Sequence, residues 1–361
     1  MVENKFDIFM KDYKKNNFKV LLYGNGQGAE WAIRLFNKHK VYPVAIIDKE
    51  VCNNVNIDIP VLSLQEALKI YTNDEFRIVI SSPRFSEEIK NELKKHINNE
   101  LIYNFECELY YSYIFDIEEY KSYLIENIDN IMELYNNLED DFSRITLENV
   151  IEGRLSGDLE YFKKVFVPNQ YFCENIIKLS NDEVFLDIGA CDGDSLKDIV
   201  KRTNGKFKAI YCFEPDKQCL IELNKTKEKI KLPNINIIDK GAWDRIEIFN
   251  FSSDSEHGAS KIVEDENNLT NNTIETVQID DIVKEKVTFI KMDIEGAELN
   301  ALKGAKNIIS KYKPTLAICV YHKNEDFIEI SKYIRSLVPN YKLFIRHHNI
   351  SGTETVLYAI I

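Results

Sequence analysis

"DEVFLDIGACDGDSLKDIVKR", residues 182–202, carries the local grammar on which the fold turns. Val184 to Ile188 form a short apolar run, the pattern of a buried strand, and a helix-length segment follows. Between them Asp187, Gly189 and Gly193 make D-x-G-x-x-x-G, with Ala190 inside the loop. Glycines there let the chain turn sharply and approach a ligand, while the next helix offers its amide end. The loop also carries Asp192 and Asp194. These acids repel a pyrophosphate and suit a ligand bearing an ammonium and a sulphonium. Capping of the helix start accounts for one of them, not for all.

Working outward, "FKAIYCFEPDKQCLIELNK" repeats the strand-then-helix pattern and closes its strand on Glu214 and Pro215. A carboxylate one βα unit beyond a glycine loop accepts both ribose hydroxyls, so Glu214 is the candidate ribose ligand and Pro215 suits the turn. "INIIDKGAW" sets Asp239, Gly241 and Ala242 at the next strand end, where an adenine edge would lie. Short alternating strands, "IEIFNF" and "TIETVQI", follow.

"FIKMDIEGAELNALKGA", residues 289–305, then brings Lys291, Asp293, Glu295 and Glu298 to a strand-to-helix junction. Glu298 falls in the first helical turn, where capping and dipole complementarity suffice for it. Asp293 closes the strand, and "TLAICVYH" ends the following strand on His322, facing Asp293. Asp293, His322, Lys291 and Glu295 are therefore the candidate catalytic residues. Asp293 or His322 would act as general base, His322 being the natural choice near neutral pH. A divalent metal held by Asp293 with Glu295 or His322 is the competing reading. Without a dense carboxylate cluster the metal-free base is preferred, and no metal ligand is assigned. His347 and His348 are strand neighbours pointing opposite ways, so at most one faces the site. "YKLFIRHHN" and "TETVLYAII" are joined by "NISG", too short for a crossover helix, which predicts an antiparallel pair at the sheet end.

The amino-terminal part repeats the α/β alternation from "FKVLLYGNGQGAEWAIRLFNKH" onward. Gly24, Gly26 and Ala29 fit G-x-G-x-x-A, and Asp48 ends the next strand. Three readings stand for this loop: NAD(H) binding, nucleotide-sugar binding, or a structural or oligomerising role. Residues 1–115 read as this small Rossmann-like domain and 116–165 as a linker of two helices broken around "NNLEDDFSR". Residues 166–361 read as the second α/β domain. Tyrosines of the linker, with Tyr110, Tyr111 and Tyr113, would be interface, core or a sugar-stacking surface.

Composition narrows the function. The chain has 361 residues and a net charge of -13, which argues against nucleic acid and anionic membranes as partners. No apolar run approaches the roughly 18 residues of a membrane span, and the amino terminus lacks a signal-peptide h-region. Seven cysteines without a C-x-x-C pair predict reduced thiols in a cytosol. Cys191, Cys212 and Cys319 lie in or beside strands and read as small packing groups.

"DIGACDGDS", "FEPD", "FIKMDIEGAELNALKGA" and "YKPTLAICVYH" together resemble the FkbM family of S-adenosylmethionine-dependent methyltransferases. "NQYF" (169–172) and "LEDDFSR" (138–144) are similar to the lead-in of its longer members. The resemblance implies a class I methyltransferase fold: a doubly wound α/β sheet whose last strand is antiparallel. It implies S-adenosylmethionine as cofactor and a hydroxyl of a sugar, oligosaccharide or other small glycoconjugate precursor as acceptor. A homo-oligomer formed through the first domain or linker fits the same picture. The rival reading is a nicotinamide-dependent sugar oxidoreductase or epimerase working from Gly24, Gly26 and Ala29; a third is an inactive binding protein.

Overall fold

The structure, a computed structural model, describes residues 5–49, 58–72, 75–82, 85–104, 117–252, 261–263 and 273–361. The chain divides into two compact units. One comprises Met1–Glu126, Glu148–Lys164 and Ile350–Gly352; the other comprises Asn127–Leu147, Val165–Asn349 and Thr353–Ile361.

In the first unit, β1 (Lys19–Tyr23), β2 (Ala45–Ile47), β3 (Val61–Leu62), β4 (Phe76–Ile80) and β5 (Ile102–Tyr103) form one sheet. All pairings are parallel, in the order β3-β2-β1-β4-β5. Alternate residues of β1 serve opposite faces: Val20 and Leu22 pack with Phe9 and Phe36, while Leu21 and Tyr23 pack with Phe76 and Ile78. Gly24 turns at φ +116°, and a Cβ there would meet Ser82 Cβ at 2.9 Å. Asp48 Oδ2 accepts the Asn25 N–H at 2.7 Å, so the carboxylate ties down the loop that follows β1.

Four helices, not two, occupy the linker stretch: Ile117–Glu126, Ile128–Asn137, Asp141–Ser156 and Leu159–Val165. The break at 138–140 falls where expected, and Asp140 accepts the Ser143 N–H at 2.7 Å as a helix cap. A further break follows Gly157, whose φ of +68° ends a helix without the penalty a side chain would add. These helices distribute between the two units. Tyr120 is buried with the Arg154 guanidinium 5.8 Å from its ring centroid, a core position rather than a stacking surface. Tyr110, Tyr111, Tyr113 and the boundary near residue 115 lie outside the described residues.

The second unit is built on β6 (Val184–Ile188), β7 (Ala209–Phe213) and β8 (Ile235–Ile238). β9 (Gly241–Ala242), β10 (Ile248–Ser252), β11 (Lys261–Val263) and β12 (Thr273–Val277) follow. β13 (Phe289–Met292), β14 (Thr315–Cys319), β15 (Lys342–His347) and β16 (Thr355–Ile360) complete it. The main sheet runs β15-β16-β14-β13-β6-β7-β8, and β16 is antiparallel to both neighbours. This is the class I methyltransferase arrangement, with the antiparallel ending expected from the short link, here residues 348–354. β11-β10-β12-β9 form a small second sheet among the described residues. Phe185 and Phe289, adjacent on β6 and β13, pack at 5.1 Å between centroids, and Phe172 closes on Phe289 at 5.8 Å. Each such burial contributes roughly 1.5–3 kcal/mol. Asp140 also receives Arg346 Nη2 at 2.6 Å, so the "LEDDFSR" lead-in is fastened to β15. Among the described residues no helix is long and apolar enough to cross a membrane.

His347 and His348 belong to this scaffold and not to a site. His347 Nδ1 lies 2.9 Å from Thr355 Oγ1; His348 contacts Val167 O at 2.7 Å and Tyr358 Oη at 2.8 Å. Burial, helped by Arg346, pushes the His348 pKa from 6.5 down to about 4. The unfolded chain then takes up a proton before the folded one does. The His348 contribution is full above pH 6.5 and is lost as pH falls toward 4, by about 1.4 kcal/mol per pH unit. In urea unfolding between pH 7 and pH 4.5, wild type should lose on the order of 2–3 kcal/mol more than His348→Gln. Equal losses in the two proteins would remove His348 from the acid response.

Candidate active site

At the carboxyl ends of β6, β7 and β13 a cleft of about 480 Å³ opens, within the roughly 300–1,000 Å³ typical of small-molecule sites. Of the expected residues, Gly189, Asp194, Glu214, Pro215, Gly241, Ala242, Asp293 and Glu295 line it. Asp216, Lys240, Tyr321 and Glu354 join them, making six carboxylates to one ammonium.

The floor is set by two neighbouring strands. Lys291 on β13 stands in register with Asp187 on β6, and its Nζ lies 3.0 Å from Asp187 Oδ1. The same ammonium donates to Gly189 O at 2.6 Å. Burial opposes its charge, but Asp187 and Asp293 outweigh that and raise its pKa, so it stays protonated. Asp187, Ala190 and Lys291 are thus packed beneath the cleft rather than in its wall. Gly189 has φ +81°, and a Cβ there would lie 1.9 Å from Asp293 O; only glycine lets the two loops meet. Gly193, at φ +84°, opens the helix Asp194–Arg202.

Glu214 is buried at the end of β7. Its Oε2 accepts the Cys191 N–H and its Oε1 the Asp216 N–H, both at 2.8 Å. Burial raises its pKa, and the two backbone bonds work the other way. Asp192 is exposed, 3.3 Å from Lys197 Nζ and accepting the Asp194 N–H at 3.2 Å, the helix-start role open to it. Asp239 is also exposed: β8 ends at Ile238, and Lys240 rather than Asp239 reaches the cleft wall. Cys212 and Cys319 are buried as expected of packing groups, but Cys191 is exposed in the cleft, its Sγ 3.2 Å from that of Cys219.

Opposite Glu214 lies a cluster around Asp293. Its Oδ2 accepts the Tyr171 hydroxyl at 2.6 Å. The Tyr321 hydroxyl lies 3.3 Å from Asp293 Oδ1 and 3.4 Å from Glu354 Oε1. Gln170 also donates to Glu354. His322 Nε2 sits 3.5 Å from Asp293 Oδ1 and 3.6 Å from Glu295 Oε2, while Nδ1 is 3.0 Å from Glu298 Oε1. Glu298 is fully buried and accepts the Ile294 N–H at 2.9 Å, ahead of the helix it opens, so its side chain orders the junction rather than capping helix amides.

These carboxylates decide the charge of His322. Burial works against a charged ring, but Glu298, then Glu295 and Asp293, lift its pKa to about 10. In its protonated form His322 has no lone pair to accept a proton, so the upward shift counts against a histidine base near neutral pH. Burial pushes Asp293 up, yet His322, Lys291 and the Tyr171 hydrogen bond leave its pKa lowered and the group ionised.

Four residues of the cleft region hold left-handed backbone: Tyr171 (φ 63°), Cys191 (φ 44°), Glu295 (φ 56°) and Glu354 (φ 64°). Outside glycine such conformations cost about 1–2 kcal/mol each. Their clustering at one cleft is the signature of backbone strained to aim side chains. Tyr171, Tyr321, Glu298 and Glu354 escaped assignment from sequence. The available signals were Tyr171 within "NQYF" and Tyr321 directly before His322.

No curated protein matches the chain. Among solved structures, Methyltransferase FkbM from Methylobacillus flagellatus KT superposes with a TM-score of 0.76 at 26% identity, over 97% of this chain and 92% of that one. An rRNA methylase from Streptococcus thermophilus (TM-score 0.34, 14% identity, 50% of this chain and 87% of that) is far more distant. So is a putative methyltransferase from Streptococcus mutans in complex with SAH (TM-score 0.32, 13% identity, 56% and 95%). Neither of these two bears on the site. Residues 187–347 match the family described as Methyltransferase FkbM domain, a span that holds the glycine loop, Glu214 and the acid–histidine cluster. Residues 187–347 are thus an FkbM methyltransferase domain, carried on a class I α/β methyltransferase fold.

Proposed function

We propose that this domain is an S-adenosylmethionine-dependent O-methyltransferase acting on a hydroxyl of a sugar or glycoconjugate precursor. The acid-lined cleft carries the reading: six carboxylates and one ammonium suit a ligand with an ammonium and a sulphonium and oppose a pyrophosphate. The residues fit that cofactor. Glu214 spends one lone pair per oxygen on a backbone N–H and keeps others for a ribose diol. Gly189 lines the cleft, and its lack of a side chain lets the loop close against Asp293 O. When bound, S-adenosylmethionine supplies an electrophilic methyl group.

The chain's own task is to align the acceptor hydroxyl and take its proton. Glu354 is placed for the second role. It lines the cleft beside Tyr321, and burial together with Asp293 raises its pKa to about 7, near the optimum for a base at neutral pH. Asp293, held by Tyr171 and Tyr321, orients the hydroxyl. The sugar acceptor rests on the family resemblance and the polar walls. The glycine loop of the first unit is read as structural or oligomerising. Ser81 Oγ donates within 3.0 Å to Tyr23 O and Gly24 O, so the protein's own groups hold the turn.

Two variants test this account. Glu214→Ala should weaken S-adenosylhomocysteine binding by roughly tenfold to a hundredfold in titration calorimetry, the loss of charge-assisted bonds worth about 1.5–3 kcal/mol. Unchanged affinity would sink the ribose assignment. Glu354→Gln should bind the same ligand within a few-fold yet lose roughly 10²–10⁴ in kcat, the usual contribution of a general base. A kcat near that of wild type would return the proton to another group.

A further inference from the structure

His322 and Glu298 present an unresolved electrostatic demand. His322 is only 8% exposed and Glu298 not at all, yet neither ring nitrogen, nor Glu298 Oε2, has a hydrogen-bond partner. Nδ1 lies 3.0 Å from Glu298 Oε1 without the alignment of a hydrogen bond, and the Nε2 contacts of 3.5 and 3.6 Å are too long for one. A buried imidazolium among three carboxylates should instead make short, directed N–H···O bonds. Separations near 3 Å are those of donors sharing one ion: two ligands each about 2.1 Å from a metal, at right angles, lie about 3 Å apart. One oxygen of Asp293, one of Glu298 and one ring nitrogen of His322 all fall within 4.8 Å of one another.

We propose that Asp293, Glu298 and one ring nitrogen of His322 form a binding site for a divalent cation of the manganese type. The donors sit on fixed backbone. Asp293 follows β13 and His322 follows β14, while Glu298 Oε1 is oriented by the Ile294 N–H and keeps a second lone pair for the ion. Gly296, at φ +94°, makes the turn between them, and a Cβ there would strike Lys323 Cε at 2.9 Å. An all-oxygen shell would suit magnesium; one imidazole among carboxylates shifts the preference to manganese and its neighbours. Three protein ligands leave coordination positions open, and of the three Asp293 lines the cleft. The ion would hold the acceptor hydroxyl and lower the cost of removing its proton, a role that rests on the methyl-transfer reading; the binding of the ion does not.

The test uses the full chain, stripped with a chelator, desalted and titrated with Mn²⁺ under electron paramagnetic resonance. One ion per chain should bind, with nitrogen coupling from one imidazole in the spin-echo spectrum. Glu298→Gln and His322→Ala should each weaken binding at least tenfold, while Asp192→Asn, in an exposed acid outside the cluster, should not. Absence of stoichiometric binding, a bound ion without nitrogen coupling, or equal affinity in wild type and both ligand variants would each overturn the site. The nitrogen coupling is read on wild type, so a variant that fails to fold leaves the proposal open to refutation. Titration of the same chelated protein with S-adenosylhomocysteine separates the two readings. Cofactor binding without Mn²⁺ binding defeats the metal site alone, and Mn²⁺ binding without cofactor binding defeats the cofactor reading alone.

Discussion

A buried ammonium underlies the whole cleft. Lys291 crosses from β13 to Asp187 on β6 and reaches past it to Gly189 O, so one side chain joins two central strands and the turn that leaves them. Removing one partner of such a pair leaves an uncompensated buried charge, a loss of about 3–5 kcal/mol. Its position sets what lies above. With Gly189 drawn toward β13, the Asp293 carbonyl packs where any Cβ would be, and the Glu214 and Asp293 carboxylates come to face one cavity. The lysine also supplies the positive charge that helps keep Asp293 ionised.

Above that floor, strain takes over from regular structure. Tyr171, Cys191, Glu295 and Glu354 come from four separate loops, and each adopts a conformation that costs free energy in isolation. Tyr171 is repaid by a 2.6 Å hydrogen bond to Asp293, and the Cys191 N–H by Glu214. The doubly wound sheet places loops at one edge; the left-handed residues then turn side chains inward. A dense carboxylate lining results, a negative field that would favour cationic over anionic ligands.

Legibility in the sequence followed contact range. The strand-end positions of Gly189 and Glu214 were readable because strand, turn and helix patterns are local and their order at consecutive strand ends fixes where they meet. The antiparallel ending was readable because the short link leaves no room for a crossover helix. Asp239 directly follows β8 as read, yet its side chain is exposed and Lys240 reaches the wall, a side-chain direction that an apolar run does not reveal. Glu298 looked like a cap, but its carboxylate holds the Ile294 N–H ahead of the helix, and its other neighbour, His322, follows the next strand. Tyr171 reaches Asp293 across 122 residues, beyond any periodicity. The upward pull on the His322 pKa was the least legible feature. It depends on three carboxylates converging on one buried ring, and the same histidine beside one solvated acid would titrate near its ordinary value. Likewise the linker's extra break at Gly157 depends on a left-handed residue that helix-forming composition conceals.

The central claim is that the second unit's cleft performs methyl transfer without help from the glycine loop of the first. The direct measurement is transfer of radiolabelled methyl from S-adenosylmethionine to a panel of sugar and glycoconjugate hydroxyl acceptors, using full-length protein freed of bound nucleotide. Turnover on at least one acceptor, with no change on adding NAD(H), is the predicted result. Turnover that requires NAD(H), or hydride transfer in place of methyl transfer, would contradict the account.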